Sequence, residues 1–127
     1  MIPSTVERVP QNTTAGVNRR IEEEARARVD HYRTASAGEI RERLHALDQE
    51  WDIERVLEAN MGAAVLGTLI LSKISDRRWS LLTAVIGGFM INHAVNGWCP
   101  PLPVWRSLGF RTTHEIEAER QQLKSLL

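Results

Sequence analysis

The chain has 127 residues, which is enough for one ordinary domain, and its 16 basic and 16 acidic residues cancel. A neutral chain lacks the strongly basic face that nucleic-acid binding requires, so we expect no nucleic-acid partner. The single cysteine excludes an internal disulfide and a cysteine-based metal cage.

The first half of the chain is charged and is predicted to be helical. Residues 1–16 have no periodicity and are predicted to be a flexible tail without a cleavable signal peptide. Residues 17–58 form a charged extension of two helices, and the second helix opens on a capping box of Ser36 and Glu39. The apolar positions at helical spacing in these two helices are Val17, Ile21, Ala25, Val29, Tyr32, Ile40, Leu44, Leu47 and Trp51.

Two apolar runs follow, and they predict a transmembrane hairpin. The first run, residues 59–72, has no charge and reaches the length of a span when it extends over about 57–74. The second run, residues 79–98, contains no Lys, Arg, Asp or Glu, and the short polar turn "SDRR" separates the two. Tryptophan at the edges of a span is typical of the membrane–water interface. The predicted interface anchors are Trp79, Trp98 and Trp105.

Small and polar residues predict how the two spans pack together. Gly88, Asn92 and Asn96 are spaced four residues apart and therefore share one face of the second span. Small residues allow helices to approach closely in lipid, and in an antiparallel hairpin Asn60 lies at the depth of the two later asparagines. We therefore expect an Asn–Asn hydrogen bond across the hairpin. The predicted packing residues are Asn60, Gly67, Gly88, Asn92, His93 and Asn96.

The last segment, residues 112–127, is predicted to be an amphipathic helix. It opens on a second capping box, Thr112 with Glu115, and carries apolar residues at helical spacing. The whole pattern is also compatible with a soluble bundle of four or five helices that buries the central pair, so this alternative stays open.

Cys99 is the only candidate nucleophile in the sequence. It follows the end of the second span, where the negative end of a helix opposes thiolate formation, and the nearest basic residue in sequence is Arg106. A structural thiol is the favoured interpretation, and a thiol that carries a persulfide, pairs with a second copy or ligates heme is the alternative. The four histidines lack metal-ligand spacing, and no phosphate loop or nucleophile–base motif is present. We therefore predict no catalytic residue, no cofactor and no metal site.

The segment from "DIERVLEANMGAAVLG" to "NGWCPPLPVWRSLGF" carries a family resemblance. Its features are Glu54-Arg55 with Gly62 downstream, a short turn between the apolar runs, and an exit with Gly97, Cys99-Pro100 and Leu108-Gly109. With these features residues 52–111 resemble the YgaP-like inner-membrane domain, a bacterial family of helical hairpins. The resemblance implies an inner-membrane location with both termini in the cytoplasm, and it allows dimerisation. In some members the hairpin follows a rhodanese domain, but here the preceding residues contain no cysteine, so sulfurtransferase activity does not carry over.

The sequence therefore predicts an all-α fold: a two-helix transmembrane hairpin with an N-terminal helical extension and a C-terminal amphipathic helix. The first hypothesis for its function is a non-enzymatic scaffold or accessory subunit of the inner membrane. Its expected partners are the lipid bilayer and either another protein or further copies of the chain. The second hypothesis is a membrane thiol protein that cooperates with sulfurtransferases through Cys99. The third is a soluble helical interaction module.

Overall fold

The computed structural model describes residues 2–127, and over these residues the fold is all-α, with helices joined by short turns. The helices, in chain order, are α1 (Arg8–Gln11), α2 (Ala15–Tyr32), α3 (Ala37–Gln49), α4 (Ile53–Ile74), α5 (Trp79–Asn96), α6 (Leu102–Ser107) and α7 (Thr113–Lys124).

The helix starts follow from local capping chemistry. Both predicted capping boxes are confirmed: Ser36 and Glu39 close the N-terminus of α3, and Thr112 and Glu115 close that of α7. The carboxylate of Asp52 caps α4 by accepting a hydrogen bond from the Arg55 amide. Each such cap satisfies an amide that the helix itself leaves without an acceptor. The cap on α4 also marks the point where the charged part of the chain ends and the apolar part begins.

The N-terminal segment differs from the predicted flexible tail. Residues 8–11 form the short helix α1, and Val9 is only 2% exposed. Val9 belongs to an apolar cluster with residues that come from much later in the chain. A tail is expected from local pattern alone, whereas burial against a distant surface supplies the free energy that orders this segment.

Helices α4 and α5 run antiparallel and pack side by side. The hydroxyls of Thr68 and Thr83 hydrogen-bond to each other across the pair, and Met61 is buried in the contact region. The predicted packing is wrong for the glycines, because Gly67 and Gly88 are exposed and an added Cβ at either would meet nothing within 4 Å. The helices thus meet through threonines and larger apolar side chains rather than through a small-residue face.

Most of the apolar surface of α4 and α5 is exposed. His93 is the one buried residue of α5, although that helix contains no formally charged residue. Large apolar side chains project outward along both helices, among them Leu66, Ile70, Ile74, Leu81, Val85 and Ile91. One helical stretch of the described residues, Ala37–Ile74, is long and apolar enough to cross a membrane by length and composition, and 17% of its most apolar 18 residues are buried. Its apolar part is α4, since α3 is rich in charge.

Helices α2, α3 and α7 form a second unit of the fold, called the body below. Their apolar faces meet in a cluster of Val29, Ile40, Leu47, Ile116 and Leu123. Val29, Ile40 and Leu47 lie on the apolar stripes predicted for the charged first half of the chain, so the helical periodicity there correctly marks the residues of the core. Helix α7 contacts both α2 and α3 and completes this cluster.

Candidate functional site

The candidate site lies where α1, the start of α4 and the end of α5 meet. Cys99 follows α5 and is 0% exposed. It shares an apolar cluster with Val9, Ile53, Leu57, Met61 and Leu102. The thiol is therefore enclosed by apolar side chains.

His93 is held in place by two charged residues from distant parts of the chain. Its Nε2 lies 2.9 Å from Oε2 of Glu54 on α4. Arg8 of α1 donates from Nη2 to Oε1 of Glu54 at 3.0 Å and from Nη1 to the His93 carbonyl oxygen at 2.8 Å. Glu54 thus receives a hydrogen bond from each side, which fixes both the carboxylate and the imidazole.

The hydrogen bonds determine which nitrogen of His93 carries a proton in the neutral ring. A carboxylate only accepts, so Nε2 carries a proton that points toward Glu54. Nδ1 is buried and has no hydrogen-bond partner among the described residues.

Gly97 brings α1 directly onto this site. Its φ of 81° is left-handed, and a Cβ at this position would lie 2.3 Å from the Arg8 carbonyl oxygen. Glycine is therefore required both by the backbone conformation and by the close approach of α1. The side-chain amide of Asn12 adds a hydrogen bond to the Asn96 carbonyl oxygen at 2.7 Å. Together these contacts place α1 over the loop that carries Cys99.

Taken together, His93, Glu54 and Arg8 form a hydrogen-bonded group at the end of the helix pair that also holds the buried Cys99 thiol. Nucleophilic cysteines require a base within reach of the thiol and a third group that orients the base. Glu54 occupies the orienting role toward the imidazole, since its Oε2 lies 2.9 Å from Nε2 of His93. No surface of Cys99 is accessible in this structure.

The predicted setting of Cys99 needs correction. The prediction placed it at a water interface, with Arg106 as the nearest basic residue in sequence, but Cys99 is fully buried in an apolar cluster. Arg106 donates instead to Thr13, Asn18, Phe110 and Glu115. Sequence reasoning missed Glu54 and Arg8, because nothing local marks residues 39 and 85 positions from His93 as its partners.

The predicted Asn–Asn hydrogen bond across the helix pair is also wrong. Asn60 is exposed, and Asn92 donates to the Trp98 carbonyl oxygen at 2.8 Å. Asn96 donates to Oδ1 of Asn92 at 2.9 Å. These two asparagines therefore bond to each other and to the backbone just after α5, and neither reaches α4.

The three predicted anchor tryptophans occupy different surroundings. Trp79 is 38% exposed at the start of α5. Trp98 and Trp105 are partly buried against the Cys99 cluster, and each meets a phenylalanine edge to face, at 5.9 Å for Phe89 and 5.5 Å for Phe110. Their role as interface anchors stays a prediction.

Three comparisons with known proteins, against family models, curated proteins and solved structures, each found no match. The resemblance to YgaP-like hairpins therefore rests on the motifs quoted above and stays a prediction. Among the described residues, no group of three or more His, Cys, Asp and Glu side chains is placed to hold a metal ion.

Proposed function

We propose that this protein is a small inner-membrane protein that acts as a non-enzymatic scaffold or accessory subunit. In this proposal α4 and α5 cross the bilayer as a hairpin, and the body of α2, α3 and α7 binds a partner at the membrane surface. The family resemblance implies that the body and both termini are cytoplasmic.

The observation that carries the proposal is the exposed apolar surface of α4 and α5. A helix that is apolar on all sides is normally buried in a core or in a membrane. Helix α5 has this composition, yet His93 is its one buried residue. Monomeric soluble proteins rarely expose a contiguous apolar patch larger than a few hundred Å². Lipid covers such a surface over the full length of both helices, which favours a membrane hairpin over a soluble interaction module.

The body offers a surface for a protein partner. A groove of about 740 Å³ lies between α1, α2 and α7. Its apolar wall includes Ile21, Ala25, Val29 and Ala118, and charged residues of α2 and α7 surround it. A concave apolar surface with charged edges is suited to an anchor side chain of a partner.

Membrane insertion is tested with a matched pair of substitutions. Val85 on α5 is 51% exposed and Val104 on α6 is 59% exposed, so Val85→Asp and Val104→Asp make the same chemical change at similar exposure. An aspartate near the centre of a span costs about 2.5–3.5 kcal/mol of insertion. We expect the natural chain and Val104→Asp to stay in the membrane pellet after alkaline carbonate washing, and Val85→Asp to lose much of its pelleted fraction. A natural chain that is soluble and monodisperse without detergent contradicts the proposal.

Partner binding is tested by filling the groove. Ala25 lines the groove, whereas Ala46 is exposed on α3 away from it. In a mild-detergent pull-down read by mass spectrometry, Ala25→Trp should lose a partner that the natural chain and Ala46→Trp retain. Equal retention by both variants excludes the groove as the docking surface.

A second candidate function, a membrane thiol protein that cooperates with sulfurtransferases through Cys99, is favoured by one observation. Cys99 is buried in the loop after α5, at the same end of the helix pair as the His93 ring that Glu54 orients. If the protein handles sulfur, Cys99→Ser should abolish labelling by persulfide-selective reagents in cells, whereas a scaffold should lose no partner through this change.

A further inference from the structure

Three arginines of the body converge on a small cavity. The cavity has a volume of about 100 Å³ and lies between α2, the end of α3 and the loop that leads into α7. Arg28, Arg43 and Arg111 line it. The side chain of Arg111 is 4% exposed, and those of Arg28 and Arg43 are partly buried. A guanidinium group that is withdrawn from water needs acceptors to replace the water it has lost.

The neighbouring carboxylates do not use all the donors of these arginines. Glu119 accepts a hydrogen bond from each of the three arginines. Glu50 accepts two more from Arg111, at 2.9 and 2.6 Å. Nε of Arg43 and Nη1 of Arg111 are buried and have no hydrogen-bond partner among the described residues. A buried donor without a partner costs free energy, and the cost is larger on a charged group.

We propose that this cavity binds a phosphate group, either as the free ion or as the headgroup phosphate of a lipid, through the unpaired guanidinium donors of Arg43 and Arg111. This inference goes beyond the proposed scaffold role and does not depend on it.

Charge and size favour a phosphate group. Three guanidinium charges face the two carboxylates that they bind, Glu119 and Glu50, which leaves one positive charge in excess. Guanidinium groups match the oxygens of phosphate with pairs of parallel hydrogen bonds. The volume corresponds to about three waters, which is room for a phosphate and too little for a nucleotide. Glu24 also lines the cavity and opposes an anion, but its side chain is exposed.

The cavity lies beside the start of the helix pair. Arg111 lines it, and the carbonyl oxygen of Arg111 accepts a hydrogen bond at 2.7 Å from the amide of Ile53, the first residue of α4. If α4 crosses the bilayer, the cavity is therefore near the level of the lipid headgroups. Free phosphate reaches the same donors from the solvent at the edge marked by the exposed Glu24.

Phosphate binding is tested by isothermal titration of the full chain in a nonionic, phosphate-free detergent. Sodium phosphate at pH 7 is compared with sodium chloride of equal ionic strength, and we expect saturable binding of one phosphate per chain and no binding of chloride. Arg43→Lys keeps the charge that pairs with Glu119 but removes Nε, so it should weaken phosphate binding about tenfold, as expected for one lost charge-assisted hydrogen bond. Arg41→Lys, at an exposed position of the same helix outside the cavity, is the matched control and should bind phosphate like the natural chain.

A substitution of Glu24 tests the sign of the ligand's charge. Glu24→Gln removes a negative charge from the edge of the cavity, so phosphate should bind severalfold more tightly. Because Glu24 is exposed, this variant keeps the fold and decides the matter if Arg43→Lys misfolds. The site is overturned by the absence of saturable phosphate binding, by equal affinity of Arg43→Lys and Arg41→Lys, or by unchanged or weaker binding in Glu24→Gln.

A second titration separates the two sources of phosphate. The free ion is titrated into the chain in mixed micelles that contain either phosphatidylglycerol or a galactosyl diacylglycerol, which has no phosphate. If a lipid headgroup occupies the cavity, phosphatidylglycerol lowers the apparent affinity for the free ion, and by less in Arg43→Lys, whereas the charge of the micelle acts alike on both chains. Equal affinity in the two micelles assigns the site to free phosphate. These titrations need neither a bilayer nor a protein partner, so their failure is distinct from failure of the proposed scaffold role.

Discussion

At the scale of single residues, Arg106 is a buried charge whose N–H groups are all hydrogen-bonded. It is 0% exposed, and its five N–H groups are matched by five hydrogen bonds. Two of these reach Thr13 and Asn18 near the N-terminus, two reach the carboxylate of Glu115, and one reaches the Phe110 carbonyl oxygen. Arg106 therefore ties the N-terminal segment to α7 through one buried guanidinium.

Loss of Arg106 should be strongly destabilising. Removing one partner of a buried ion pair leaves the other charge without compensation and typically costs about 3–5 kcal/mol. We expect Arg106→Ala to lower the free energy of unfolding by about this amount, measured by denaturant unfolding of the helical signal in micelles. Arg26→Ala removes an exposed ion pair with Glu22 and should cost under about 1 kcal/mol. Similar losses for the two variants contradict the bonding role assigned to Arg106.

At the scale of the helices, the sequence predicted what depends on near neighbours. The capping boxes of α3 and α7 join residues three positions apart, and the apolar stripes of the body repeat every three or four residues. It could not predict what depends on distant contacts: the ordering of α1 through Val9, and the link from Arg8 to Glu54. The candidate site belongs to the second kind, since its groups come from three separate helices and a loop.

The glycines of α4 and α5 give a test of how these helices meet. A Cβ at Gly67 or Gly88 would meet nothing within 4 Å, so alanine fits at both positions. Alanine in a helix interior is favoured over glycine by about 0.5–1 kcal/mol. We expect Gly67→Ala and Gly88→Ala to raise the thermal unfolding temperature of the helix pair in micelles. A fall in that temperature, with an unchanged oligomeric state, means that the small residues lie in the contact between α4 and α5 after all.

The three helices of the body are also joined by a buried charge cluster. The carboxylate of Glu119 on α7, with a side chain 0% exposed, receives ion pairs from Arg28 on α2, Arg43 on α3 and Arg111. Burial raises the pKa of Glu119, but the hydrogen bond from Arg28 and the charges of Arg111, Arg28 and Arg43 outweigh it and hold the pKa below its ordinary value of 4.5.

This cluster should make the body sensitive to acid. Because the folded-state pKa of Glu119 is lowered, its stabilising contribution is complete above about pH 4.5 and is lost as the pH falls through the folded-state pKa. We expect the unfolding temperature of the body to decrease when the pH is lowered below 4.5. Glu119→Gln should destabilise the body at pH 7 and weaken the fall in acid, since glutamine does not titrate. An equally steep fall in the variant assigns the acid response to other carboxylates, such as Glu115, whose pKa is also lowered.

At the scale of the whole molecule, charge and apolar surface are separated along its length. One end holds the body with its ion pairs, the middle holds the exposed apolar faces of α4 and α5, and the far end is the turn with Lys73, Arg77 and Arg78. This order fits a hairpin whose polar ends lie on opposite sides of the bilayer. The two possible orientations of such a hairpin are distinguishable. In one the turn crosses the bilayer during insertion, and in the other the entire body crosses it.

Orientation is therefore the prediction that belongs to the molecule as a whole. The basic residues near the span ends are similar in number on the two sides, so the positive-inside rule does not decide between them. If only the short turn is transferred across the bilayer, the body, with its buried Glu119 and Arg106, folds on the side where it is synthesised. The family resemblance implies the same arrangement. In a Cys99→Ser background, a cysteine placed at Ser75 should react in intact inner-membrane spheroplasts with a membrane-impermeant maleimide, whereas a cysteine at Ser125 should react only after the membrane is opened. The reverse pattern places the body outside, and reaction of both cysteines in intact spheroplasts contradicts a hairpin with its ends on opposite sides.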